Sequence, residues 1–398
     1  MSASSVLRAA LATALPAVLL AAAPAVANVP NSTLLSHTAA GQVPNASAAE
    51  AVMSGDGRQA RYAAYTSKAT NIVGSSGGNR NVFLVKRRKP YGLSGTRWSE
   101  LNTRLVSRGR SGAANGDSWS PSFDGFDDVH ATYAPKCLAF VSRASNLVAG
   151  DSNGHTADVF IRRLPTGKTR RLRGSGGATE VALDGQCKDV AYVARGKAFV
   201  AQTSGKGRAK RASGSGARTL VLSANGESLT YERGGNVFVW VAGKGARSLG
   251  AGSHPSSEEW GRYVTFERGG TIFKGNLKGG FSPRAVPQTG GGTARGSAPN
   301  MSAGGGFVAY VVGSLLSING YNVPKGSCMP AQFDSVLGKH TNDIVALLER
   351  VGVKLGPVTL PKVVEPRMSA HGNYLVYSCE NGPAWLTYIG DFATGSPG

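Results

Sequence analysis

The sequence predicts an all-β propeller, and three observations lead to this prediction. A strand of similar pattern recurs seven times, a turn with glycine precedes most copies, and few long helical patterns occur. Glycine supplies 55 of the 398 residues, about twice its usual share of 7%, and shows no collagen period. Such a composition is typical of a turn-dense β protein.

The repeated unit is a turn, two alternating strands and often a third, more basic strand. Copies of the first of these strands are RYAAYTS (61–67), CLAFVS (137–142), VAYVA (190–194), LTYER (229–233), VTFER (264–268), VAYVV (308–312) and LVYSC (375–379). A β-sandwich could show the same density of strands, but it would not repeat one unit seven times. The repeat therefore favours a propeller of about seven blades.

The ends of the chain predict how the ring closes. The segment that starts at Asn31 parallels the segment from Asn102, which is the outer strand of one unit plus the linker to the next. The last unit, in contrast, ends in AWLTYIGDFATGSPG without an outer strand. We expect Thr33–His37 to pair with the last blade, because this pairing removes two sheet edges at once.

The first 27 residues have the pattern of a secretory signal peptide. A positive n-region with Arg8 precedes an apolar run, and Ala25-Val26-Ala27 is an A-x-A cleavage site; a buried helix is the alternative. No later stretch has the roughly 18 apolar residues of a transmembrane helix. We expect a secreted or cell-envelope protein, with the propeller over residues 28–398.

One insertion, residues 321–362, interrupts the repeat. Its segment FDSVLGKHTNDIVALLERVGV has the apolar spacing of an amphipathic helix, weakened at Gly338, which predicts a cap on one propeller face. A mobile lid is the alternative.

The repeat resembles a known type. S-x-D-G before an aromatic-ended strand, followed by SRASNLVAGDSNGHTADVFIRRL, is similar to the WD40-like (PD40) or TolB-type propeller repeat of exported bacterial proteins. The similarity covers essentially the whole chain after residue 27 and is weakest over 301–320. It implies a propeller of short blades with a binding or scaffolding role. Such propellers commonly have six blades, so six is the alternative to seven.

Four cysteines in an exported chain indicate disulfides, and they allow three pairings. Cys137 and Cys187 stand at or just before the second strand of adjacent blades, so a bridge between blades is expected. Cys328 lies in the insertion and Cys379 ends the equivalent strand of the last blade, so their pairing would tie the insertion down. Metal binding by the cysteines is not favoured, because no C-x-x-C spacing occurs.

An acidic loop follows the second strand of the second blade. Asp151, Asn153 and Asp158 are candidate calcium ligands, and Gly154 permits a tight turn. Calcium needs six to eight oxygens, however, and the sister loop NIVGSSGGNRNVF has no carboxylate. The alternative is that Asp151 and Asn153 make Asx turns and Asp158 begins a strand. Apart from this possible calcium ion we expect no cofactor.

No catalytic motif is convincing. The segment 74–78 matches G-x-S-x-G, but it lies between strands, whereas a nucleophile elbow needs a strand before it and a helix after it. The six histidines form no H-E-x-x-H motif. Carboxylates from different blades could still meet, so a secreted hydrolase or lyase acting on carbohydrate is the alternative to a non-catalytic protein.

The net charge of +21 predicts attraction to polyanions. Basic residues cluster at the outer hairpins of the first three blades, which we expect on one face near the rim, with the acidic loop on the other. A solvated rim without a ligand is the alternative. The candidate polyanion-binding residues are Lys86, Arg87, Arg88, Lys89, Lys168, Arg170, Arg171, Arg173, Lys206, Arg208, Lys210 and Arg211.

These observations together predict a secreted, non-catalytic binding or scaffold module. Its partner would be a protein or an anionic polymer of the cell envelope, since export makes sequence-specific nucleic-acid binding improbable. We expect a monomer. A purely structural propeller without any ligand is a third interpretation.

Overall fold

The computed structural model describes residues 32–56, 60–74, 77–87, 101–109, 112–126, 133–288, 291–319, 328, 362–370 and 372–388. Within these ranges the secondary structure is all-β, and seven sheets form the blades of a propeller. The predicted fold and the count of seven blades are thus confirmed. The signal peptide and the helix predicted in the insertion lie outside the described residues.

The strands are numbered in chain order, and in each blade the first strand is innermost. β1 (Ser32–Leu34) comes first. Blade one has β2 (Ala48–Met53), β3 (Tyr62–Ser67), β4 (Asn81–Arg87) and β5 (Leu101–Leu105), and a small hairpin, β6 (Arg108–Gly109) and β7 (Gly112–Ala113), follows it. Blade two has β8 (Ser118–Phe123), β9 (Cys137–Ser142), β10 (Asp158–Arg163) and β11 (Thr169–Arg171). Blade three has β12 (Ala178–Leu183), β13 (Asp189–Ala194), β14 (Lys197–Gln202) and β15 (Lys210–Ser215).

The remaining four blades continue the pattern. Blade four has β16 (Ala217–Leu222), β17 (Ser228–Arg233), β18 (Asn236–Val241) and β19 (Gly245–Ala251). Blade five has β20 (Ser253–Ser257), β21 (Tyr263–Arg268), β22 (Thr271–Asn276) and β23 (Arg284–Ala285). Blade six has three described strands, β24 (Ser297–Met301), β25 (Val308–Val312) and β26 (Leu315–Ile318). Blade seven has β27 (Val363–Met368), β28 (Tyr374–Cys379) and β29 (Ala384–Tyr388), with β1 outside them.

The N-terminal strand closes the ring, as the sequence predicts. β1 pairs antiparallel with β29, and Ser32 stands opposite Thr387 while Leu34 stands opposite Trp385. Just beyond the strand, the Ser36 hydroxyl accepts a hydrogen bond of 2.9 Å from the amide of Ala384. The first and last parts of the chain therefore share one blade, which leaves neither of them with a free edge at this junction.

Aromatic pairs join the second and third strands of most blades. In five blades an aromatic residue of the second strand stacks on the aromatic residue directly opposite it in the third strand, with ring centroids 5.5–5.8 Å apart. Such cross-strand pairs stabilise a sheet and fix its register. The pairs are Tyr65–Phe83, Phe140–Phe160, Tyr192–Phe199, Tyr231–Phe238 and Phe266–Phe273.

The turns between first and second strands meet around the axis. The backbone amide of Gly125 donates to the carbonyl of Gly185 at 3.0 Å, and the amide of Gly185 donates to that of Ala224 at the same distance. A Cβ on Gly55 would lie 2.7 Å from the carbonyl oxygen of Gly125, so only glycine permits this approach. Glycine is therefore a packing requirement at position 55, the second residue of the S-x-D-G turn.

Both predicted disulfides are confirmed. Cys137 begins β9 and bonds to Cys187 in the turn before β13, so the bridge joins blades two and three with a Cα–Cα distance of 5.9 Å. Cys328 bonds to Cys379 at the end of β28, with a Cα–Cα distance of 5.6 Å, and anchors the insertion to blade seven.

Candidate functional site

The carboxylates near the axis are the first place to look for chemistry, because propeller enzymes assemble their sites from several blades. The innermost strands have one edge without a neighbouring strand in their own sheet. At each junction a side chain of one blade accepts a hydrogen bond from an innermost-strand amide of the next blade. Written with the side-chain acceptor first and the backbone donor second, the pairs are Glu50–Ser120, Ser120–Val181, Glu180–Thr219, Glu232–His254, Ser256–Met301, Asn300–Met368 and Glu365–Glu50.

Two of these carboxylates, Glu50 and Glu180, are partly buried. Glu180 accepts from the amides of Thr219 at 2.8 Å and Leu220 at 2.5 Å. Glu50 accepts from the amide of Ser120 at 3.0 Å. Burial raises the pKa of Glu50 and of Glu180 above the ordinary value. Because both carboxylates bind backbone amides of a neighbouring blade, they act as links in the ring rather than as a pair facing a substrate.

The acidic loop is neutralised by an arginine. The structure brings Asp151, Asn153 and Asp158 together, but Arg171 lies among them, with Nη1 at 2.6 Å from Asp151 and 3.4 Å from Asp158. The side-chain amide of Asn153 donates to Asp158 at 2.6 Å, and the Ser175 hydroxyl donates to the same carboxylate at 3.2 Å. Within the described residues no group of three metal-ligating side chains occurs. The guanidinium supplies the positive charge that calcium would supply, which favours the interpretation without metal.

The order of strands assigns every connection to one of two faces. Because the strands of a blade are antiparallel, the turns between first and second strands and between third and fourth strands lie on one face. We call this the basic face. The loops between second and third strands and the linkers between blades lie on the opposite face.

Several of the predicted polyanion-binding residues lie on the basic face. Lys168 is exposed in the third turn of blade two, and Lys206 and Arg208 are exposed in the equivalent turn of blade three. Lys210 and Arg211 are exposed at the start of β15, next to that turn. Lys86 is half-buried near the end of β4.

Three other predicted residues do not belong to this surface. Arg87 is 1% exposed and lies over the ring of Tyr374, so a polymer would not reach it. Arg171 is bound to the acidic loop. Arg173 follows the end of β11 in the linker to blade three, and the order of strands places it on the opposite face. The prediction that all these cations share one face is therefore wrong for Arg171 and Arg173.

Three predicted cations remain: Arg170, Arg88 and Lys89. Arg170 is half-buried in the middle of β11, and burial, followed by the charge of Arg163, lowers the pKa of its guanidinium. Arg88 and Lys89 lie outside the described residues.

In the third turns of the basic face, the sequence analysis missed two described cations. Lys244 is exposed in the third turn of blade four, and Lys278 is exposed in the third turn of blade five. Neither lysine has an adjacent basic residue, so neither stands out as a cluster. Their position in the repeat is the signal that could have identified them, because it matches that of Lys168 and Lys206.

The carboxylates of the basic face are mostly turned inward. Asp124 accepts from the amides of Lys136 and Cys137 at 3.0 and 2.9 Å and from the Tyr133 hydroxyl at 2.6 Å. Asp184 accepts from the amide of Lys188 at 2.8 Å, and burial raises its pKa to about 6. These acids hold the turns between first and second strands, while the lysines project to solvent.

Comparison with solved structures finds a similar chain. The crystal structure of TolB from Acinetobacter baumannii is similar to this chain, with 18% sequence identity and a TM-score of 0.39. The similarity spans 64% of this chain and 57% of the TolB chain. No protein-family model and no curated protein sequence matches the chain. Within the described residues, no helix is long and apolar enough to span a membrane.

Proposed function

We propose that this protein is a secreted, non-catalytic binding module that holds an anionic polymer of the cell envelope on its basic face. The observation that carries the proposal is the recurrence of an exposed lysine in the same turn of four consecutive blades. These residues are Lys168, Lys206, Lys244 and Lys278. A polymer with regularly spaced negative charges could contact several of them at once.

The charges of this face are available to a ligand. None of the four lysines forms an ion pair with a carboxylate in the part of the chain that the structure describes. Arg208, Lys210 and Arg211 add to the positive charge at blade three. Several cations on one surface attract a polyanion by a field that needs no specific contact.

Two features support an extracytoplasmic location. The first 27 residues have the pattern of a signal peptide. Two disulfides, Cys137–Cys187 and Cys328–Cys379, are typical of proteins in an oxidising compartment.

The alternative, a hydrolase or lyase, needs a pair of carboxylates that face a substrate. The axial residues Glu50, Glu180 and Glu365 instead accept hydrogen bonds from backbone amides. A non-catalytic role therefore fits the geometry better.

The test compares the two faces at equal net charge. In the basic-face variant, Lys168, Lys206, Lys244 and Lys278 are changed to Gln, and in the opposite-face variant Lys68, Arg173, Arg195 and Arg295 are changed to Gln. All eight side chains are exposed. Retention on a column of anionic cell-wall polymer is measured as the salt concentration at elution.

We expect the basic-face variant to elute at clearly lower salt and the opposite-face variant to stay near the wild type. The salt dependence of binding should also flatten, by up to roughly 0.7 per lost contact on a log–log plot if the polymer resembles a single strand of nucleic acid. The melting temperature should change little in either variant, because exposed charges contribute little to folding. Equal elution of the two variants would show that net charge alone explains the retention and would contradict the proposal.

A further inference from the structure

A cavity of about 750 Å³ lies between blades one and two, away from the axis. One wall is β5, the outermost strand of blade one, together with the β6–β7 hairpin. The other wall is the end of β10 and the turn that follows it in blade two. That turn belongs to the basic face, whereas the β6–β7 hairpin lies in the linker between the two blades and so on the opposite face. The cavity therefore runs along the rim from the surface proposed to hold the polymer toward the opposite face.

Three arginines line this cavity, one of them from each of its structural parts: Arg104 from β5, Arg108 from β6 and Arg162 from β10. Arg104 stands opposite Leu84 in the sheet, and Leu84 packs in the core shared with blade two. Arg162 follows Phe160 by two residues, and Phe160 belongs to the same core. Because alternate residues of a strand share a face, Arg104 and Arg162 extend toward each other from opposite walls.

Among the described residues, no carboxylate pairs with any of the three guanidinium groups. The Nη1 of Arg162 donates to the Thr169 hydroxyl at 3.0 Å. Burial, followed by the positive charges of Arg108 and Arg104, lowers the pKa of Arg162. Arg104 and Arg108 are exposed and Arg162 is half-buried, so solvent weakens the repulsion between these like charges but does not remove it.

Some other arginines of the protein are paired with a carboxylate. Arg171 and Arg218 each contact a carboxylate, at 2.6 Å for Asp151 and 2.5 Å for Glu232. A local arrangement that costs stability without a compensating contact is characteristic of a functional site. A bound anion would supply the compensation that the carboxylates supply elsewhere.

We infer that this cavity, the arginine cleft formed by Arg104, Arg108 and Arg162, binds a phosphate group with two negative charges or two neighbouring phosphodiesters. The planar guanidinium matches the oxygens of a phosphate with two parallel hydrogen bonds, which favours phosphate over a smaller or singly charged anion. β5 is an edge strand, so its outward amides are further donors. Leu105 and Leu164 line the same cavity and offer apolar contact to the carbon skeleton of the ligand.

The phosphates could belong to an envelope polymer or to a small phosphorylated compound. This inference rests on the proposed function in the first case and is independent of it in the second. The test therefore uses three probes: inorganic pyrophosphate, polyphosphate and polyglutamate. The cleft variant is Arg104→Gln with Arg162→Gln. The matched control is Lys206→Gln with Arg208→Gln, which removes two charges from the basic face outside the cleft. Melting temperature and calorimetric titration are measured for each protein.

Two results are expected. Without an anion the cleft variant should melt at a higher temperature than the wild type, because the repulsion between arginines is relieved. Pyrophosphate should then raise the melting temperature of the wild type and of the control, since a ligand of the folded state stabilises it. The cleft variant should bind pyrophosphate at least tenfold more weakly than either of them. If the double substitution impairs folding, Arg108→Gln, at an exposed position, gives the same comparison with one charge removed.

Equal binding of pyrophosphate by the wild type and the cleft variant would overturn the inference, whatever the column experiment shows for the basic face. Equal, cleft-dependent binding of polyglutamate would overturn the preference for phosphate. Cleft-dependent binding of polyphosphate supports a polymer as the source, and cleft-dependent binding of pyrophosphate alone supports a small phosphorylated compound. Loss of polymer retention in the basic-face variant with unchanged pyrophosphate binding would support both proposals as separate sites.

Discussion

Several carboxylates in this propeller accept hydrogen bonds from backbone amides. Asp124 and Asp184 hold the turns between first and second strands, and Glu50 and Glu180 hold the next blade. Asp124 and Asp184 are buried and Glu50 and Glu180 are partly buried, and burial raises the pKa of each because the charged form loses its hydration. The positions are thus structural, although a carboxylate with a raised pKa is often read as catalytic.

Replacing Asp184 by Asn should remove a pH dependence of stability. The pKa of Asp184 is raised from 3.8 to about 6 in the folded protein, so the native state holds this proton more tightly than the unfolded state. Wild-type stability should therefore fall as the pH rises from about 4 to about 6. Asn does not titrate and keeps an oxygen for the amide of Lys188. The advantage of Asp184→Asn in melting temperature should grow across this interval.

The control for this prediction is Glu227→Gln, which removes a negative charge from an exposed position in the equivalent turn of blade four. A melting-temperature difference between Asp184→Asn and the wild type that stays constant from pH 4 to pH 7 would contradict the assignment.

The acidic loop should behave as an ion pair rather than as a calcium site. Arg171 already contacts Asp151 and Asp158, so chelator and millimolar calcium should give the wild type the same melting temperature. Arg171→Met leaves the carboxylates without the guanidinium, so its melting temperature should fall, and added calcium should then raise it in part. A chelator effect on the wild type that Asp151→Ala abolishes would instead establish calcium as a ligand.

Charge in a sequence does not reveal what a side chain contacts. Lys168 and Arg171 are three residues apart, but Lys168 is exposed in a turn and Arg171 is bound to Asp151. Arg87 ends a strand in which nearly every residue is buried, and its guanidinium lies over an aromatic ring contributed by blade seven. These outcomes depend on neighbours distant in sequence, so composition predicts the basic character of the surface and not its members.

At the scale of elements, the second and third strands could be predicted from the sequence, and the innermost strands could not. The second strands are short, largely apolar runs with an aromatic residue near the middle, as in CLAFVS (137–142). Some innermost strands, such as SHPSS (253–257), are polar, and several contain a bulge at a non-glycine residue with positive φ. Glu50 and Thr219 have φ values of 54° and 55°. A strand that is bent and stabilised by side chains of another blade has no alternating pattern to detect.

Deleting residues 31–40 should unfold the protein or cause aggregation. The deletion removes β1, which pairs with β29, and it removes Leu35, which is fully buried. The exposed edge of β29 would then be open to pairing with another molecule. Melting temperature and size-exclusion chromatography measure the outcome. The control is Ser36→Ala, which removes one hydrogen bond, to Ala384, and should cost only about 1–3 kcal/mol. A soluble deletion variant with unchanged melting temperature would contradict closure by β1.

At the scale of the whole molecule, the ring must be closed by contacts between blades, because each blade is a separate sheet. The sequence predicted the number of blades, since a repeat can be counted without knowing how its copies pack. It also predicted the cysteine pairs, because the alignment of units brought Cys137 near Cys187. The arginine cleft was not predicted, because Arg104 and Arg162 become neighbours only when two blades pack together.

The two disulfides should stabilise the propeller by similar amounts. They join residues 50 and 51 positions apart, and the chain-entropy model gives on the order of 4 kcal/mol for loops of this length. We therefore expect the variant with Cys137→Ser and Cys187→Ser and the variant with Cys328→Ser and Cys379→Ser to lose comparable stability in denaturant unfolding. The chain that begins at Asn28, which is the product expected from the proposed signal-peptide cleavage, should contain both bridges in non-reducing mass mapping. Free thiols or any other pairing there would contradict both the alignment of the blades and the proposed oxidising compartment.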